Sequence, residues 1–558
     1  MNKLNRWMRA PVAVVLSGAT TTKAVCQIYA DYEHKIAEGQ LYLIKTRDNR
    51  DILCRVDKIT PYEEFYEPGD AWSEARRKRA PIPVDVSRKY TITELELLGQ
   101  IGGRGLHEVT KPPTPGDEVF EISSEDLDKI LGLSEPDAPL VRIGTFFGYS
   151  DLTLPLDLEA LPMHMAIIGV TGSGKSYTAG FLIEELRDIE VGGCKSVVPI
   201  IVIDANGDYL DFWDEYKRRG KLGYYDKVLR FVFKGSSAYR YFKYIKNGVV
   251  PIKVDLDAFT PREVAELIIT YYSGSLNELQ VSGLETILAE LKLEDYGLNE
   301  IFVDEQAFNA LHYRLQEARD QKRIHPQTHS AICRALNKFR EELLEKYEVI
   351  SVKPTLSEEL VDDITGESPS LVIIDFSADG ATGVPLRLKQ FVVSYLTKLL
   401  YNKFVSYKIN GENRLLLLMI EEAQNYCPNL QAYPVGYSLA RENVALIATQ
   451  GRKFGLCLCL ISQRPAFIDP IALSMVNTFI IHRVAASDVS FVKKLASLPG
   501  WIERKLTSLA VGRAVVVGQM NRLGFPVLVD IPKREIEPKM GKISVLEILQ
   551  KMSRGLEK

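Results

Sequence analysis

The sequence predicts an α/β protein whose parallel sheet is preceded by a small β-barrel and interrupted by a block of helices. Three observations support this prediction. Residues 10–125 hold short β-rich runs separated by turn residues, as small barrels do. From about residue 146, strands alternate with helices, which is typical of a parallel sheet with crossover helices. Between residues 255 and 350, apolar residues instead recur at three- and four-residue spacing, which indicates helices.

The predicted barrel domain spans residues 1–125 and is followed by a polar, proline-containing linker at 126–145. A basic cluster, Arg76–Arg79, lies in a polar loop of this domain. It fits either a solvated loop or a contact with DNA or a partner. The candidate strands of the domain are Ala13–Leu16, Gln40–Ile44, Ile52–Val56, Tyr90–Ile92 and Glu118–Ile122.

The predicted α/β core comprises residues 146–254 and 351–535, with the helical insertion at 255–350 between them. An amphipathic tail, residues 536–558, follows the core and could pack on it or on a neighbouring subunit. The candidate strands are short apolar runs, as buried parallel strands require. They are Met165–Ile168, Pro199–Ile203, Leu371–Ile374, Leu415–Ile420, Cys457–Ile461, Thr478–His482 and Ala514–Val517.

Composition excludes several classes of protein. The 558 residues are 25% charged and 46% hydrophobic, which is ordinary for a globular chain, and the net charge of −4 argues against an obligate nucleic-acid coat. The net charge does not exclude a local basic surface on the folded protein. The seven cysteines form no C-x-x-C pair, so no zinc site is predicted. Apolar runs are too short for a signal peptide or a membrane span, so we expect a cytoplasmic protein without a membrane partner.

The most specific motif follows the candidate strand Met165–Ile168. The run from Gly169 to Ser176 fits the phosphate-binding loop G-x-x-x-x-G-K-[ST] at every fixed position, and helical spacing follows it. Such a turn points backbone N–H groups at a phosphate, so the chain is predicted to bind a nucleoside triphosphate. We expect Lys175 to reach the β- and γ-phosphates from a solvent-facing position, and the Ser176 hydroxyl to bind Mg²⁺. The predicted nucleotide-binding residues are Gly169, Thr171, Gly172, Ser173, Gly174, Lys175, Ser176 and Tyr177.

A phosphate loop also needs a carboxylate on a neighbouring strand for Mg²⁺ and a residue that positions the attacking water. Three apolar runs end in an acid, at Asp204, at Asp375 and at the pair Glu421 and Glu422. Only the pair places two acids in sequence, so Glu421 is predicted on the metal side and Glu422 beside the hydrolytic water. Asp204 and Asp375 fit either site residues or strand ends beside the site that do no chemistry, and the second alternative is favoured. Glu422 also fits an acid at a helix start.

Two further polar residues flank the run Cys457–Ile461. Gln463 follows it, at the end of a strand that faces the ligand crevice of an α/β sheet, and could sense the γ-phosphate or simply end the strand. Arg452 precedes the run in Gly451–Gly455 and fits either an arginine finger or a solvated basic turn. Both residues are candidates for catalysis.

The ordered set of these motifs resembles the HerA family of hexameric ATPases, which is related to the FtsK-type DNA translocases. The resemblance extends over most of the chain, including the N-terminal β-rich region and the helical insertion, although only the ATPase motifs are specific. The matching pieces are His164–Ile168 with the phosphate loop, Asp204–Tyr209, Glu421–Tyr426, Gly451–Gly455 and Ser462–Pro465.

The resemblance implies a RecA-like core and a homo-hexameric ring that moves on double-stranded DNA. ATP and Mg²⁺ would lie between subunits, where Arg452 of one subunit completes the site of the next. Archaeal members work with a NurA-type nuclease at DNA ends, and some bacterial relatives pair with sirtuin-like or nuclease effectors against phage. The sequence shows no nuclease constellation, so cutting would come from the partner. The implied catalytic residues are Lys175, Glu421, Glu422, Arg452 and Gln463.

The sequence departs from the family pattern at three positions. Gln424 follows Glu-Glu-Ala where a histidine is common, Met163 stands where many members have arginine, and Glu421 replaces the aspartate of other phosphate-loop families. None of these changes removes a residue that hydrolysis must have. Two other functions remain open: a nucleotide-binding ring that assembles and activates an effector enzyme, and an ATPase that acts on protein.

Overall fold

The computed structural model describes residues 10–102, 105–133, 138–236, 239, 248–366, 368–433, 438 and 440–538. The strands up to the helical insertion are β1 (Pro11–Val15), β2 (Lys23–Ile28), β3 (Leu41–Lys45), β4 (Asp51–Glu63), β5 (Lys89–Gly102), β6 (Gly105–His107), β7 (Glu118–Glu121), β8 (Leu140–Phe146), β9 (Thr153–Asp157), β10 (Met165–Ile168), β11 (Ile189–Val191), β12 (Cys194–Ser196), β13 (Ile200–Asp204), β14 (Lys227–Val232) and β15 (Val250–Pro251). The strands after it are β16 (Ser370–Asp375), β17 (Leu416–Glu421), β18 (Leu456–Ser462), β19 (Thr478–Ile481), β20 (Arg513–Gly518) and β21 (Val527–Asp530).

The described α-helices follow the same chain order. They are α1 (Ser73–Arg77), α2 (Ser124–Leu131), α3 (Lys175–Leu186), α4 (Leu210–Arg219), α5 (Pro261–Ser273), α6 (Glu278–Leu293), α7 (Leu298–Val303), α8 (Glu305–Asp320), α9 (Pro326–Arg340), α10 (Glu358–Thr365), α11 (Ala378–Ala381), α12 (Leu386–Ile409), α13 (Ala440–Gln450), α14 (Pro470–Ser474), α15 (Val489–Ala496) and α16 (Gly500–Lys505). Within the described part of the chain, no helix combines the length and the apolar composition that crossing a membrane requires.

The first of two compact units takes its described residues from 1–157 and 492–532. Its strands β2, β1, β7, β3, β4 and β5 pair antiparallel in that order, and β5 pairs again with β2, which closes a six-stranded barrel. Side chains in β5 alternate between a buried and a partly exposed face, as a half-buried strand requires. The predicted small barrel is therefore confirmed. Its interior is filled by apolar residues that include Val12, Ala24, Ile44, Ile52, Val56 and Val119.

Two sequence predictions differ from the structure of this unit. The segment 126–145, predicted as a linker, contains residues 126–131 of α2 and residues 140–145 of β8. Ser123 caps α2 by accepting a hydrogen bond from the Asp126 N–H group. The predicted parallel strand Ala514–Val517 lies in β20, which pairs antiparallel with β21. A connection as short as the one between these two strands permits only antiparallel pairing.

The second unit takes its described residues from 158–491 and 533–538 and contains a parallel sheet. Its strand order is β15, β14, β16, β13, β17, β18, β10 and β19, so the predicted α/β core is confirmed. The sequence analysis missed β14, because Lys227 and Arg230 interrupt its apolar pattern. The structure explains the buried arginine by an ion pair between Arg230 and Asp375.

Helices α5 to α9 occupy the segment predicted as the helical insertion. Helix α5 begins with a capping box between Thr260 and Glu263, with Pro261 in its first turn, which satisfies N–H groups that a helix start leaves free. The predicted domain boundaries stay predictions. Of the predicted tail 536–558, residues 539–558 lie outside the described part of the chain.

The parallel strands place their carboxyl ends at one edge of the sheet. The residues Asp204 and Asp375 are register partners on β13 and β16. In the same way Ile168 of β10 is paired with Ser462 of β18, and Glu421 of β17 with Ile461. The phosphate loop follows β10 directly, so this edge brings the polar strand ends and the loop together, as α/β folds do at their ligand sites.

Candidate functional site

The phosphate loop adopts a conformation that its glycines make possible. Gly172 and Gly174 have φ values of 73° and 113°, in the left-handed region that residues with a Cβ atom avoid. At Gly169 a Cβ atom would lie 2.6 Å from Ser173 Oγ and 2.7 Å from His482 Cβ, so only glycine fits. Helix α3 begins at Lys175, and its N-terminal N–H groups therefore lie at the loop.

Lys175 is folded back onto the loop. Its Nζ atom donates a hydrogen bond of 3.2 Å to the Val170 carbonyl, and the residue is only 8% exposed. The expectation of a solvent-facing lysine was therefore wrong, because the ammonium group packs inside the turn that it closes. Burial lowers the pKa of Lys175, while the charges of Glu422 and Glu421 act in the opposite direction.

Ser176 and Glu421 meet across the site. Ser176 Oγ donates to Glu421 Oε1 at 2.9 Å, and the Ala205 N–H group donates to Glu421 Oε2 at 3.0 Å. The Glu421 carboxyl is buried, and burial together with the charges of Asp204 and Asp208 raises its pKa well above the ordinary value. A hydroxyl and a carboxylate in contact are oxygen donors of the kind that Mg²⁺ prefers beside phosphates.

Glu422 is linked to the phosphate loop through Gln463. Gln463 Nε2 lies 3.2 Å from both carboxylate oxygens of Glu422, and Gln463 Oε1 accepts a hydrogen bond of 2.6 Å from Thr171 Oγ1. Glu422 precedes a short turn, Ala423–Asn425, but its side chain makes no capping hydrogen bond to that turn. This geometry favours a site residue over an acid that merely starts a helix.

The two other strand-end acids have structural partners. Asp204 accepts hydrogen bonds from four consecutive backbone N–H groups, those of residues 206 to 209, and so fixes the turn before α4. Asp375 forms a buried ion pair with Arg230 and accepts from the Ser377 backbone N–H group and hydroxyl. These contacts favour the alternative in which both acids hold strand ends without doing chemistry.

Arg452 is not brought to this site within one chain. It is exposed on the turn Gly451–Phe454, which leads into the amino-terminal end of β18. The phosphate loop and Gln463 lie beyond the carboxyl end of that strand, whose seven residues span about 20 Å. An arginine at that distance cannot contact the nucleotide bound by its own loop.

The C-terminal segment contributes a contact that the sequence analysis missed. The Arg534 backbone N–H group donates to Tyr177 Oη at 2.7 Å. The guanidinium of Arg534 is buried between Glu184 and Asp211, and it passes so close to Gly180 that a Cβ atom there would clash. Because Glu184 and Asp211 lie more than 300 positions from Arg534 in the chain, no local sequence pattern predicts these ion pairs.

Trp213 and the basic cluster Arg76–Arg79 are packed or paired. Trp213 is buried on α4, and the Arg230 guanidinium lies 5.2 Å from its ring centre. In the basic cluster, Arg76 pairs with Asp70, while Arg77 and Lys78 pair with Glu74. These ion pairs neutralise much of the cluster's charge and favour a solvated loop.

Comparison with known proteins adds an independent finding. A family model described as "Helicase HerA, central domain" matches residues 141–400. The DNA double-strand break repair helicase HerA of Sulfurisphaera tokodaii is 26% identical over 533 residues, which cover 94% of this chain and 93% of that protein. The protein of the same name from Sulfolobus acidocaldarius is 26% identical over 546 residues, covering 96% and 94%.

The comparison also found solved structures of low sequence identity. VirB4 of Thermoanaerobacter pseudethanolicus aligns with a TM-score of 0.48 and 14% identity, over 72% of this chain and 98% of its own. The unbound bacterial conjugative coupling protein TrwB aligns with a TM-score of 0.46 and 15% identity, over 75% and 94%.

Proposed function

Because this chain belongs to the HerA family of P-loop ATPases, we propose that it couples the hydrolysis of Mg²⁺-ATP to movement along double-stranded DNA. Family membership makes the chain an ATP-hydrolysing enzyme of the helicase and translocase class. The archaeal relatives named as DNA double-strand break repair helicases support DNA as the polymer on which it acts.

The observation that carries the proposal is the contact between Ser176, at the end of the phosphate-loop motif, and Glu421, the last residue of β17. Ser176 and Glu421 supply adjacent oxygens for Mg²⁺, which when bound would offset charge on the phosphates. Lys175, at the N-terminus of α3, would bind the β- and γ-phosphates after leaving the Val170 carbonyl. Gln463, already bonded to Thr171 of the loop, would sense the γ-phosphate.

Glu422 is the residue that we assign to activation of water. Its carboxylate lies at the same sheet edge as the phosphate loop and is held by the amide of Gln463. A carboxylate in that position can accept a proton from water as the water attacks the γ-phosphate.

A ring of six identical subunits accounts for the position of Arg452. This exposed side chain lies about 20 Å from the phosphate loop of its own chain, the length of β18, so it would complete the site of a neighbouring subunit. There it would stabilise charge that develops on the γ-phosphate. Since the whole chain carries a net charge of −4, contact with DNA phosphates requires a local basic surface, such as the inner wall of the ring.

A partner protein would supply the cutting activity. We propose a NurA-like nuclease, in DNA end processing, or another effector such as a sirtuin-like protein, in defence against phage. Co-purification with the product of a neighbouring gene, followed by an assay of its activity with and without this chain, identifies the partner.

The deciding experiment measures ATP hydrolysis with and without double-stranded DNA, at saturating Mg²⁺-ATP. A DNA-translocating motor predicts hydrolysis that rises with duplex DNA and a ring that moves a roadblock along it. Equal hydrolysis with and without DNA, together with activation of a bound effector, would instead identify a nucleotide-binding scaffold. The Lys175→Ala variant is the control for contaminating ATPases.

A further inference from the structure

Gln424 is buried beside Glu422 and makes two hydrogen bonds of opposite polarity. The residue is 5% exposed and lies in the short turn Ala423–Asn425, directly after the acidic pair. Its Nε2 atom donates to Glu422 Oε2, and its Oε1 atom accepts a hydrogen bond of 2.7 Å from Ser462 Oγ. The donor and the acceptor of the Gln424 amide are therefore both hydrogen-bonded.

The Glu422 carboxylate, which can only accept hydrogen bonds, fixes the direction of that amide, and Ser462 is compatible with it. The Ser462 hydroxyl oxygen accepts from the Arg464 N–H group at 3.0 Å, which leaves its hydrogen free to be donated to Gln424 Oε1. If the Gln424 amide were reversed, its oxygen would face the carboxylate of Glu422, and two acceptors would be in contact. Ser462 is in turn joined to the phosphate loop, because its carbonyl accepts from the Gly169 N–H group at 3.2 Å.

Glu422 needs such support, since its backbone is strained. Its φ and ψ of 49° and 48° lie in the left-handed region, which costs a residue with a side chain about 1 kcal/mol or more. Strain of this kind persists only where surrounding contacts hold the residue. Two amide groups converge on the carboxylate, Gln424 from the turn and Gln463 from the end of β18. The Gln424 amide oxygen accepts a hydrogen bond from Ser462, and the Gln463 amide oxygen accepts one from Thr171.

We propose that Gln424 is a positioning residue for Glu422, which holds the carboxylate at the phosphate loop through its hydrogen bond. The inference rests on the proposed function, in which Glu422 activates water. An amide does not titrate, so the donor to Glu422 in this chain keeps the same charge at every pH at which the protein is folded.

The first test separates binding from turnover in the assembled full-length protein. Gln424→Leu keeps the volume of the side chain and removes both hydrogen bonds. We expect kcat to fall about 10- to 100-fold, as for other residues that orient a site group, while nucleotide affinity changes less than about 3-fold. An unchanged kcat, or an equal loss of nucleotide affinity, overturns the inference.

Gln390 provides a matched control. Its amide is also 5% exposed and donates a hydrogen bond of 2.7 Å to the Asn425 carbonyl of the same turn, but it does not contact Glu422. Gln390→Leu should keep kcat within about 3-fold of the unmodified protein, even if it lowers thermal stability. If both variants lose kcat equally, the turn as a whole is what matters and the positioning role of Gln424 is wrong.

A second variant remains informative even if Gln424→Leu fails to fold. In Gln424→His, a neutral imidazole can still donate an N–H group to Glu422. Protonation near the ordinary histidine pKa of about 6.5 would add a positive charge beside the base and lower its basicity. We expect kcat near that of the unmodified protein at about pH 8, and a steeper loss than in that protein toward about pH 6. Identical pH profiles for the two proteins contradict the inference.

A double-mutant cycle distinguishes failure of the inference from failure of the proposed function. If Gln424 acts only through Glu422, Gln424→Leu should lower single-turnover hydrolysis no further when Glu422→Gln is already present. Additive losses overturn the inference and leave Glu422 as the base. Full turnover in Glu422→Gln alone would overturn the assignment of the base itself, whatever the result at Gln424.

Discussion

The Ser176 hydroxyl donates a hydrogen bond of 2.9 Å to Glu421 Oε1, joining residues 245 positions apart in the chain. Ser176 lies in the first turn of α3, and Glu421 is the last residue of β17. The Ala205 N–H group holds the second carboxylate oxygen at 3.0 Å. The two oxygens expected to hold Mg²⁺ are therefore positioned by α3, by β17 and by the segment that follows β13. Glu422 is the next residue after Glu421.

Lys175→Met should abolish ATP hydrolysis without destabilising the protein. Methionine keeps most of the side chain's volume and removes an ammonium group whose pKa burial lowers, so the melting temperature without nucleotide should stay the same or rise. The gain in stability that saturating nucleotide gives, about 2.7 kcal/mol at 100 times Kd, should be lost. Thermal melts with and without Mg²⁺-ATP measure both effects. Normal hydrolysis in the variant would contradict the phosphate-loop assignment.

Glu422→Gln and Glu421→Gln should fail in different ways. Glu422→Gln should bind Mg²⁺-nucleotide normally and lose about 10²- to 10⁴-fold in kcat, because an amide cannot accept the proton of the attacking water. Glu421→Gln should lose the contribution of Mg²⁺ to nucleotide affinity, because the residue that contacts Ser176 would then have no carboxylate to bind the ion. Titrations of nucleotide with and without Mg²⁺ test the second expectation, and single-turnover assays test the first. The same defect in both variants would show that Mg²⁺ binding and water activation are not assigned to separate acids.

In a ring made only of Arg452→Ala subunits, turnover should fall about 10³-fold or more. The fold of each subunit should not change. Mixing Arg452→Ala subunits with Glu422→Gln subunits should restore part of the activity, because some interfaces then have an intact arginine and an intact base. Native mass spectrometry would show whether mixed rings form. Rings that mix fully and stay inactive would exclude action across the interface.

The carboxyl of Asp204 should make thermal stability depend on pH. Burial, assisted by the charge of Asp375, raises its pKa from 3.8 to about 7. The folded state thus binds this proton more tightly than the unfolded state, and its contribution to stability falls as pH rises through the window between about 4 and 7. Asparagine does not titrate, so the melting temperature of Asp204→Asn relative to the unmodified protein should rise from about pH 5 to about pH 8. A difference that is constant or falls over this range would refute the expectation.

Binding to DNA should be sensitive to salt and indifferent to sequence. Phosphate contacts release counterions, so the logarithm of affinity should fall linearly with the logarithm of salt concentration, with a slope of about −0.9 per neutralised phosphate. Two unrelated duplexes should give the same slope, because phosphates carry no sequence information. Fluorescence anisotropy with a non-hydrolysable ATP analogue measures this. Strong preference for one duplex would favour a scaffold that recognises a specific site.

The sequence by itself determined the features whose causes are local. The phosphate loop could be identified because steric limits at Gly169, Gly172 and Gly174 and the chemistry of Lys175 and Ser176 fix residue types at fixed spacing. The central strands were predicted because parallel strands buried on both faces must be continuous apolar runs. Glu421 could be singled out because it ends such a run and is followed at once by a second acid.

Only the tertiary structure decided which side chains meet. Gln463 bonds to Thr171 from 292 positions away, and no spacing rule links the two. The strand end of Asp204 looks in sequence like that of Glu421, yet its carboxylate fixes a turn, because four backbone N–H groups converge on it. Apolar spacing determines which face of an element is buried, whereas the order in which strands assemble determines what that face contacts.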